Sequence, residues 1–163
     1  MAQQTHDATV AVTGASGLVG SHVVEHLANQ GFHVIAVLRK TPDYLQKFIS
    51  TYGGQGSIKV ETADIDDQAA LERAFAGAQA VVHAAGSVDP FGSREAIFAT
   101  NLGGTQHALK AAASASVKHF IFISSLSVIT GQGDQYDVDE SQPLKPCGES
   151  YADSKIEAER AVM

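Results

Sequence analysis

The chain has 163 residues, of which 44% are hydrophobic and 18% charged, and it carries a formal net charge of -7 at pH 7. This length and composition predict one soluble globular domain with its own core rather than a disordered segment. The acidic balance and the scattered Lys and Arg residues argue against a nucleic-acid partner, and no apolar run reaches the length of a membrane span.

The first seven residues are polar and contain neither a basic nor an apolar segment, so the sequence predicts no secretory signal and a cytoplasmic setting. Cys147 is the one cysteine, and we interpret it as an ordinary loop thiol. Among the seven histidines, only His22 and His26 stand one helical turn apart, and we interpret that pair as a helix surface. We therefore expect no metal site.

Short apolar runs rich in β-branched residues alternate with longer segments of helical periodicity, an arrangement typical of βαβ units and a parallel sheet. The nearly continuous apolar character of these runs predicts strands that are buried on both faces. Five strands are predicted, at Thr9–Thr13, Phe32–Leu38, Ser57–Glu61, Ala80–His83 and Lys118–Ser124.

The first predicted helix follows the first strand, with Val19, Val23 and Leu27 at helical spacing and a stop signal at residues 29–31. The stretch 131–150 contains Gly, Pro and a cluster of acidic residues, and it is predicted to be a long loop, a feature that often serves function. Further helices are predicted at 42–50, 67–76, 93–115 and from Ser150 to the end of the chain.

A glycine-rich segment, Thr13-Gly-Ala-Ser-Gly-Leu-Val-Gly20, lies where the first strand turns into the first helix. Gly14 permits a tight turn, Gly17 allows a pyrophosphate to approach the backbone, and Gly20 allows the helix to pack closely on the strand. Free amides at the helix N-terminus attract the phosphate charge. Strand, glycine spacing and helix together predict an α/β fold of the Rossmann type, a doubly wound parallel sheet that binds a dinucleotide.

The end of the second strand bears on which dinucleotide is bound, because this position contacts the adenosine ribose. Here the strand runs into Arg39-Lys40 rather than into an acidic residue. A guanidinium can pair with a 2′-phosphate, whereas a carboxylate would accept hydrogen bonds from a 2′-hydroxyl. The sequence therefore favours NADP(H), with NAD(H) as the alternative.

Further motifs follow in order. They are Asp64-Ile65 after the third strand, His83-Ala-Ala-Gly86 after the fourth, Asn101-Leu-Gly-Gly-Thr105, Ser124-Ser125 after the fifth, and Tyr151-x-x-Ser154-Lys155. With the glycine segment, they make the chain resemble the N-terminal part of an extended short-chain dehydrogenase/reductase, in the branch of 3β-hydroxysteroid dehydrogenases and dihydroflavonol reductases. The resemblance covers nearly the whole chain, and it implies that a C-terminal substrate-binding region is absent.

The resemblance implies a set of cofactor contacts. Asn101 belongs to this set, although for its side chain we favour a structural role over a water relay. The implied contacts are Gly14, Ser16, Gly17, Leu18, Val19, Gly20, Arg39, Lys40, Asp64, Ile65, Ala84, Ala85, Gly86, Asn101 and Lys155.

The resemblance also assigns catalytic roles, with Tyr151 as general acid/base and Ser125 as the hydrogen-bond partner of the substrate oxygen. Lys155 would hold the nicotinamide ribose, and its charge should stabilise the phenolate of Tyr151. The four-residue spacing of Tyr151 and Lys155 independently places both side chains on one helix face. Ser125 is preferred to Ser124 because the second serine faces the cofactor in the matching pattern.

Local features favour an alcohol or ketone substrate, with a sugar-nucleotide epimerase as the alternative. Residues 126–128 after Ser125 lack the Asp-Glu pair that would mark sugar-nucleotide dehydratases, and residues 125–129 are apolar. The loop Val88-Asp-Pro-Phe-Gly92 resembles the corresponding loop of the steroid and flavonoid branch.

The relatives implied by the resemblance are about twice as long as this chain, so we expect it to bind NADP(H) with little turnover of its own. A dinucleotide-binding module without activity is the non-enzymatic alternative. If the fifth strand pairs only with the fourth, its other edge is unpaired, which favours association with a second copy and leaves a homo-oligomer open.

Overall fold

A parallel sheet of five strands forms the centre of the structure, a computed structural model that describes residues 7–130, 134 and 136–163. In chain order the strands are β1 (Thr9–Thr13), β2 (His33–Leu38), β3 (Ser57–Thr62), β4 (Ala80–His83) and β5 (His119–Phe122). Their order across the sheet is β3-β2-β1-β4-β5, and each neighbouring pair is parallel. The chain thus crosses from one side of β1 to the other between β3 and β4, which opens a crevice at the carboxyl ends of β1 and β4.

Helices cover both faces of the sheet. In chain order they are α1 (Leu18–Asn29), α2 (Asp43–Thr51), α3 (Gln68–Ala74), α4 (Arg94–Phe98), α5 (Gly104–Ser114), α6 (Ser127–Thr130) and α7 (Ser150–Val162). Successive strand residues point to opposite faces. Val12 of β1 therefore packs in one hydrophobic cluster with Val24 of α1 and Leu45 of α2. Ala11 packs in the other cluster with Leu71 of α3 and with α5.

The fold class and the strands predicted from the sequence are confirmed, and each strand boundary agrees within two residues. Apolar runs buried on both faces carry a strong signal, because both side-chain directions must be hydrophobic. The predicted long loop has neither helix nor strand at 134 and 136–149, whereas 131–133 and 135 lie outside the described residues. Residues 1–6 also lie outside the described part, and they belong to the polar segment from which we predicted the absence of a secretory signal.

The helix predicted over 93–115 is present at residues 94–114, but it is not a regular α-helix throughout. Between α4 and α5 the residues Ala99–Gly103 form a π-helical segment, hereafter the π segment. Gly103 and Gly104 weaken the helix locally, and a Cβ on Gly104 would lie 2.5 Å from the Ile65 side chain. The π segment also carries the buried Asn101, whose amide bonds to groups outside the helix. Such single π turns are typical of functional sites.

Strand β5 lies at one edge of the sheet and pairs with β4 alone among the described strands. Ile121 on this strand is 48% exposed. The structure therefore has the unpaired edge on which the expectation of a homo-oligomer depends. Within the described ranges, no helix is long and apolar enough to cross a bilayer.

Gly20 provides a test of how closely α1 packs on the end of β1. A Cβ on Gly20 would overlap the carbonyl oxygen of Gly14 and lie 2.7 Å from its carbonyl carbon. We expect Gly20→Ala to lower the free energy of unfolding by about 1–3 kcal/mol, because rigid backbone must move. Urea unfolding measures this loss.

Gly53 is the matched control, because it is exposed and no atom lies within 4 Å of the Cβ that alanine would add. Gly53→Ala should leave the unfolding free energy unchanged or slightly raised. Equal urea midpoints for the two variants would contradict the packing described.

Candidate functional site

A cleft of about 410 Å³ opens at the carboxyl ends of the strands. This is the edge at which open α/β sheets bind their ligands. Nine of the cofactor contacts expected from the sequence line it, namely Gly14, Ser16, Gly17, Arg39, Asp64, Ile65, Ala84, Ala85 and Gly86. The fold therefore gathers residues from four separate strand ends around one space.

Two backbone segments meet at the floor of this cleft. Gly14 follows β1 with a φ of +65°, a conformation that side chains rarely adopt. A Cβ at this position would lie 2.7 Å from the backbone nitrogen of Ala85 and 2.9 Å from the carbonyl carbon of Ala84. Gly14 is thus required both by its turn and by the loop after β4.

The N-terminus of α1 faces the same region, and no side chain of its own first turn neutralises it. Its capping residue Gly17 makes no side-chain capping bond, and the first turn has no acidic residue. By contrast, Asp67, Ser93 and Glu149 cap α3, α4 and α7. The uncapped amides and the positive end of the helix dipole suit a bound phosphate.

Several expected contacts lie beside the cleft rather than in its wall. Leu18 and Val19 begin α1 with exposed side chains, whereas Gly20 is buried against the turn. Lys40 is exposed next to Arg39, and of these two cations only Arg39 is in the cleft wall. The sequence pattern at a strand end cannot tell which of two neighbouring residues faces the cleft, because the chain turns immediately after the strand.

Asn101 in the π segment is 2% exposed and joins the cleft to α7. Its Oδ1 accepts from the Ser87 backbone nitrogen at 2.6 Å, and its Nδ2 donates to the Ser87 carbonyl at 3.0 Å and to Ser154 Oγ at 2.9 Å. Ser87 lines the cleft, and Ser154 precedes Lys155. These three bonds connect the loop after β4 with helix α7, and the structural role favoured for this side chain stays a prediction.

Lys155 is 6% exposed and lies against the end of β5. Its Nζ donates to the Ile123 carbonyl at 2.6 Å and lies 3.9 Å from the centroid of the Phe122 ring. Burial lowers the pKa of Lys155 to about 8, while the carboxylate of Glu159 acts in the opposite direction. The ammonium form therefore predominates at neutral pH and begins to lose its proton in mildly alkaline solution.

The two serines after β5 make different contacts. Ser124 Oγ donates to Glu159 on α7. Ser125 Oγ accepts from the backbone nitrogen of Ser127 at 3.2 Å and from its hydroxyl at 2.9 Å. Tyr151 is half-buried in the first turn of α7. Ser125 thus lies in the segment that follows β5, and Tyr151 and Lys155 lie on α7. The Lys155–Ile123 bond joins these two parts of the chain.

Asp153 holds the start of α7 in place, a role that the sequence analysis missed. Its carboxylate accepts from the backbone nitrogens of Cys147 at 2.9 Å and Gly148 at 3.3 Å, and pairs with Arg94 at 3.1 Å. Burial opposes ionisation, but these donors outweigh it and the pKa of Asp153 is lowered. The position between Tyr151 and Lys155 was the only signal available, because Arg94 is distant in sequence.

Within the residues that the structure describes, no group of three or more His, Cys, Asp or Glu side chains could hold a metal ion. Cys147 is exposed in the loop before α7.

The parallel sheet, with its glycine turn beside the strand crossover, defines a dinucleotide-binding type of α/β protein. Residues 10–163 match the NAD dependent epimerase/dehydratase family, and the chain belongs to this family. The family resemblance inferred from the motifs is confirmed.

Two relatives illustrate the range within this family. Over 162 residues the chain is 30% identical to a 3β-hydroxysteroid dehydrogenase/Δ5→4-isomerase of Mycobacterium tuberculosis, covering 94% of this chain and 42% of that protein. It is also 30% identical over 169 residues to vestitone reductase of Medicago sativa, covering 94% and 52%. The chain thus spans about half the length of the curated relatives it matches.

Solved structures give the same result. The crystal structure of vestitone reductase from alfalfa has a TM-score of 0.78 at 28% identity, covering 96% of this chain and 51% of that one. A UDP-glucose 4-epimerase from Bifidobacterium longum in complex with NAD+ and UDP has a TM-score of 0.81 at 28% identity, covering 94% and 47%.

The Asp153 contacts generate a stability prediction. Asp153→Asn removes the charge of a buried carboxylate that faces the half-exposed Arg94 and two backbone donors. We expect a loss of about 1–3 kcal/mol in unfolding free energy, measured by urea denaturation at pH 7.

Glu157→Gln is the control, because the Glu157–Arg160 pair is also on α7 but both side chains are partly exposed. Its effect should stay within about 0.5 kcal/mol. If the two variants were equally stable, Asp153 would not hold the start of α7 as described.

Proposed function

We propose that this chain is the dinucleotide-binding part of an NAD(P)-dependent oxidoreductase that interconverts an alcohol and a ketone, with Tyr151 as acid/base. The observation that carries the proposal is the Asn101 bridge, because it joins the wall of the dinucleotide-type cleft to the helix that bears Tyr151 and Lys155. Family membership supports the reaction class.

The residues of the cleft fit a dinucleotide. Gly14 and Gly17 leave backbone without side chains beside an uncapped helix N-terminus, which suits a pyrophosphate. Asp64 and Ile65 line the space on the side of Arg39, where an adenosine would lie. When bound, the nicotinamide would supply or accept a hydride.

The remaining chemistry belongs to this chain's own side chains. In the reducing direction the Tyr151 hydroxyl would donate its proton to the substrate oxygen, and in the oxidising direction the phenolate would take it back. Ser125 Oγ would donate a hydrogen bond to the same oxygen. The Lys155 ammonium would hold the ribose hydroxyls and stabilise the phenolate by its charge.

NADP(H) is the preferred cofactor in this proposal, with NAD(H) as the alternative. Arg39 supports this preference, because it lies in the cleft wall directly after β2. The residue at this position is a cation and not a carboxylate. Similar solved structures contain NAD, which keeps the alternative open.

A sugar-nucleotide epimerase is the second candidate. It is favoured by similarity to the epimerase whose structure contains NAD+ and UDP. An epimerase would return the cofactor to its starting state in each cycle, whereas an alcohol/ketone oxidoreductase would release it changed. Net oxidation or reduction of added dinucleotide therefore distinguishes the two candidates.

The Tyr151 role is tested by measuring binding and turnover separately. Calorimetry should show that the chain and its Tyr151→Phe variant bind NADPH with similar affinity, since the phenol hydroxyl is proposed to act on substrate. Turnover of ketones and alcohols should fall by about 10²–10⁴ in the variant. This assay uses the protein at its natural length.

Tyr136→Phe is the control, because Tyr136 is 87% exposed. Binding without any Tyr151-dependent turnover would favour a non-catalytic dinucleotide-binding module. Failure of the unmodified chain to bind either dinucleotide would contradict the proposed function.

Arg39 provides the test of cofactor preference. Arg39→Ala should weaken NADPH binding about tenfold or more, because a charge-assisted bond to the 2′-phosphate is lost, and should leave NADH affinity nearly unchanged. Lys40→Ala, the neighbouring cation outside the cleft wall, should change neither. An equal loss for both dinucleotides in Arg39→Ala, or tighter binding of NADH by the unmodified chain, would contradict the preference for NADP(H).

A further inference from the structure

His83 is the last residue of β4 and is only 1% exposed. Its ring lies beside two aromatic side chains of β5, with centroids 5.6 Å from Phe120 and 6.0 Å from Phe122. Both ring nitrogens have protein partners, Thr13 Oγ1 at 2.8 Å from Nδ1 and Thr105 Oγ1 at 3.1 Å from Nε2. Nothing in the proposed reaction uses this side chain.

The direction of these hydrogen bonds follows from their neighbours. Thr105 Oγ1 lies 2.6 Å from the Asn101 carbonyl, which can only accept, so the threonine hydroxyl donates to it. Thr105 must then accept from His83, which places a hydrogen on Nε2. Nδ1 is left as an acceptor and takes the hydroxyl hydrogen of Thr13.

The chain of bonds continues into the cleft on one side. Thr13 Oγ1, whose hydrogen points to His83, accepts from the backbone nitrogen of Ala85 at 3.3 Å. Thr13 immediately precedes Gly14, and Ala85 belongs to the loop that Gly14 contacts. His83 therefore determines how the Thr13 hydroxyl is oriented between the two backbone segments at the cleft floor.

On the other side, the chain of bonds ends at the π segment. The Asn101 carbonyl receives the Thr105 hydroxyl, while the Asn101 side chain bonds to Ser87 and Ser154. The His83 imidazole thus links the glycine turn after β1, through Thr13, to Asn101 in the π segment, through Thr105.

We propose that His83 is a positioning residue, held as the neutral Nε2–H tautomer, that fixes the glycine turn relative to the π segment and thereby shapes the dinucleotide cleft. The tautomer itself follows from the contacts alone. The effect on cofactor binding rests on the proposed function.

A charged imidazole would not fit this arrangement. With hydrogens on both nitrogens, Thr13 would have to accept from His83 as well as from Ala85, and its own hydrogen would lose its partner. Among the described residues, Lys155 is the charged group that acts on the ring, with Glu159 beyond it. Burial, assisted by the Lys155 charge, lowers the pKa of His83 to about 3.

Nitrogen-15 NMR of the histidine-labelled chain tests the tautomer directly. At pH 5, where an ordinary imidazole is mostly charged, His83 should give the signature of a neutral ring with hydrogen on Nε2. A charged ring at this pH, the Nδ1–H tautomer, or a mixture of tautomers would overturn the proposal.

Variants of Thr105 test the positioning role. Thr105→Val removes the acceptor for Nε2–H with little change in volume, so the tautomer signature should change and NADPH affinity should fall about threefold to tenfold. Thr105→Ser keeps the hydroxyl and should retain both. His119→Gln, on the exposed end of β5, is the matched control and should also retain both.

If Thr105→Val left both the His83 tautomer and the NADPH affinity unchanged, the positioning role would be overturned. It would also be overturned if Thr105→Ser lost as much NADPH affinity as Thr105→Val. If Thr105→Val does not fold, retention by serine of the Nε2–H signature and of NADPH affinity supports the role, and loss of either contradicts it. If the unmodified chain binds no dinucleotide, the proposed function fails, and so does the proposed effect of His83 on cofactor binding. The tautomer of His83 is still tested by the NMR experiment.

Discussion

The buried amide of Asn101 is the interaction on which the arrangement of the candidate site depends. Its three hydrogen bonds hold the loop after β4 and helix α7 at a fixed separation. Because this side chain is only 2% exposed, each lost bond would leave a buried polar group without a partner. The bridge therefore ties the position of the cleft wall to that of the helix carrying Tyr151 and Lys155. The π segment is the local departure from regular helix that accompanies this bridge.

Around this bridge, backbone packing and electrostatics act together. The glycine turn can touch the loop after β4 only because Gly14 lacks a side chain, and α1 can pack on that turn only because Gly20 lacks one. That contact brings an uncapped helix N-terminus to the carboxyl edge of the sheet, where a phosphate is favoured. On the opposite side, burial weakens the hold of Lys155 on its proton, while Glu159 and the Ile123 carbonyl favour the ammonium. Such a partly desolvated cation is the kind of group that the role proposed for Lys155 requires.

The sequence predicted the sheet well because strands such as β1 and β4 are apolar on both faces. The π segment Ala99–Gly103 could not be predicted in the same way. Helical periodicity does not reveal that Gly104 must approach Ile65 or that Asn101 bonds outside its helix. For the candidate site, the glycine turn and Arg39 were identified from strand context, and both are in the cleft wall. The contributions of Asp153, Arg94 and Thr105 depend on long-range contacts, for which a single sequence contains no local signal. Substrate contacts stay predictions, since the chain spans about half the length of its relatives.

The most direct test of the account is to locate NADPH on the chain by two-dimensional proton–nitrogen NMR with assigned backbone amides. We expect the largest shifts at Gly14, Gly17 and Ala85, with a smaller response at Arg39. A separate groove beside α2, lined by Ile49 and Val60 among others, serves as an internal control and should not respond. Shifts centred on that groove, or no shifts at saturating NADPH and NADH, would contradict the account.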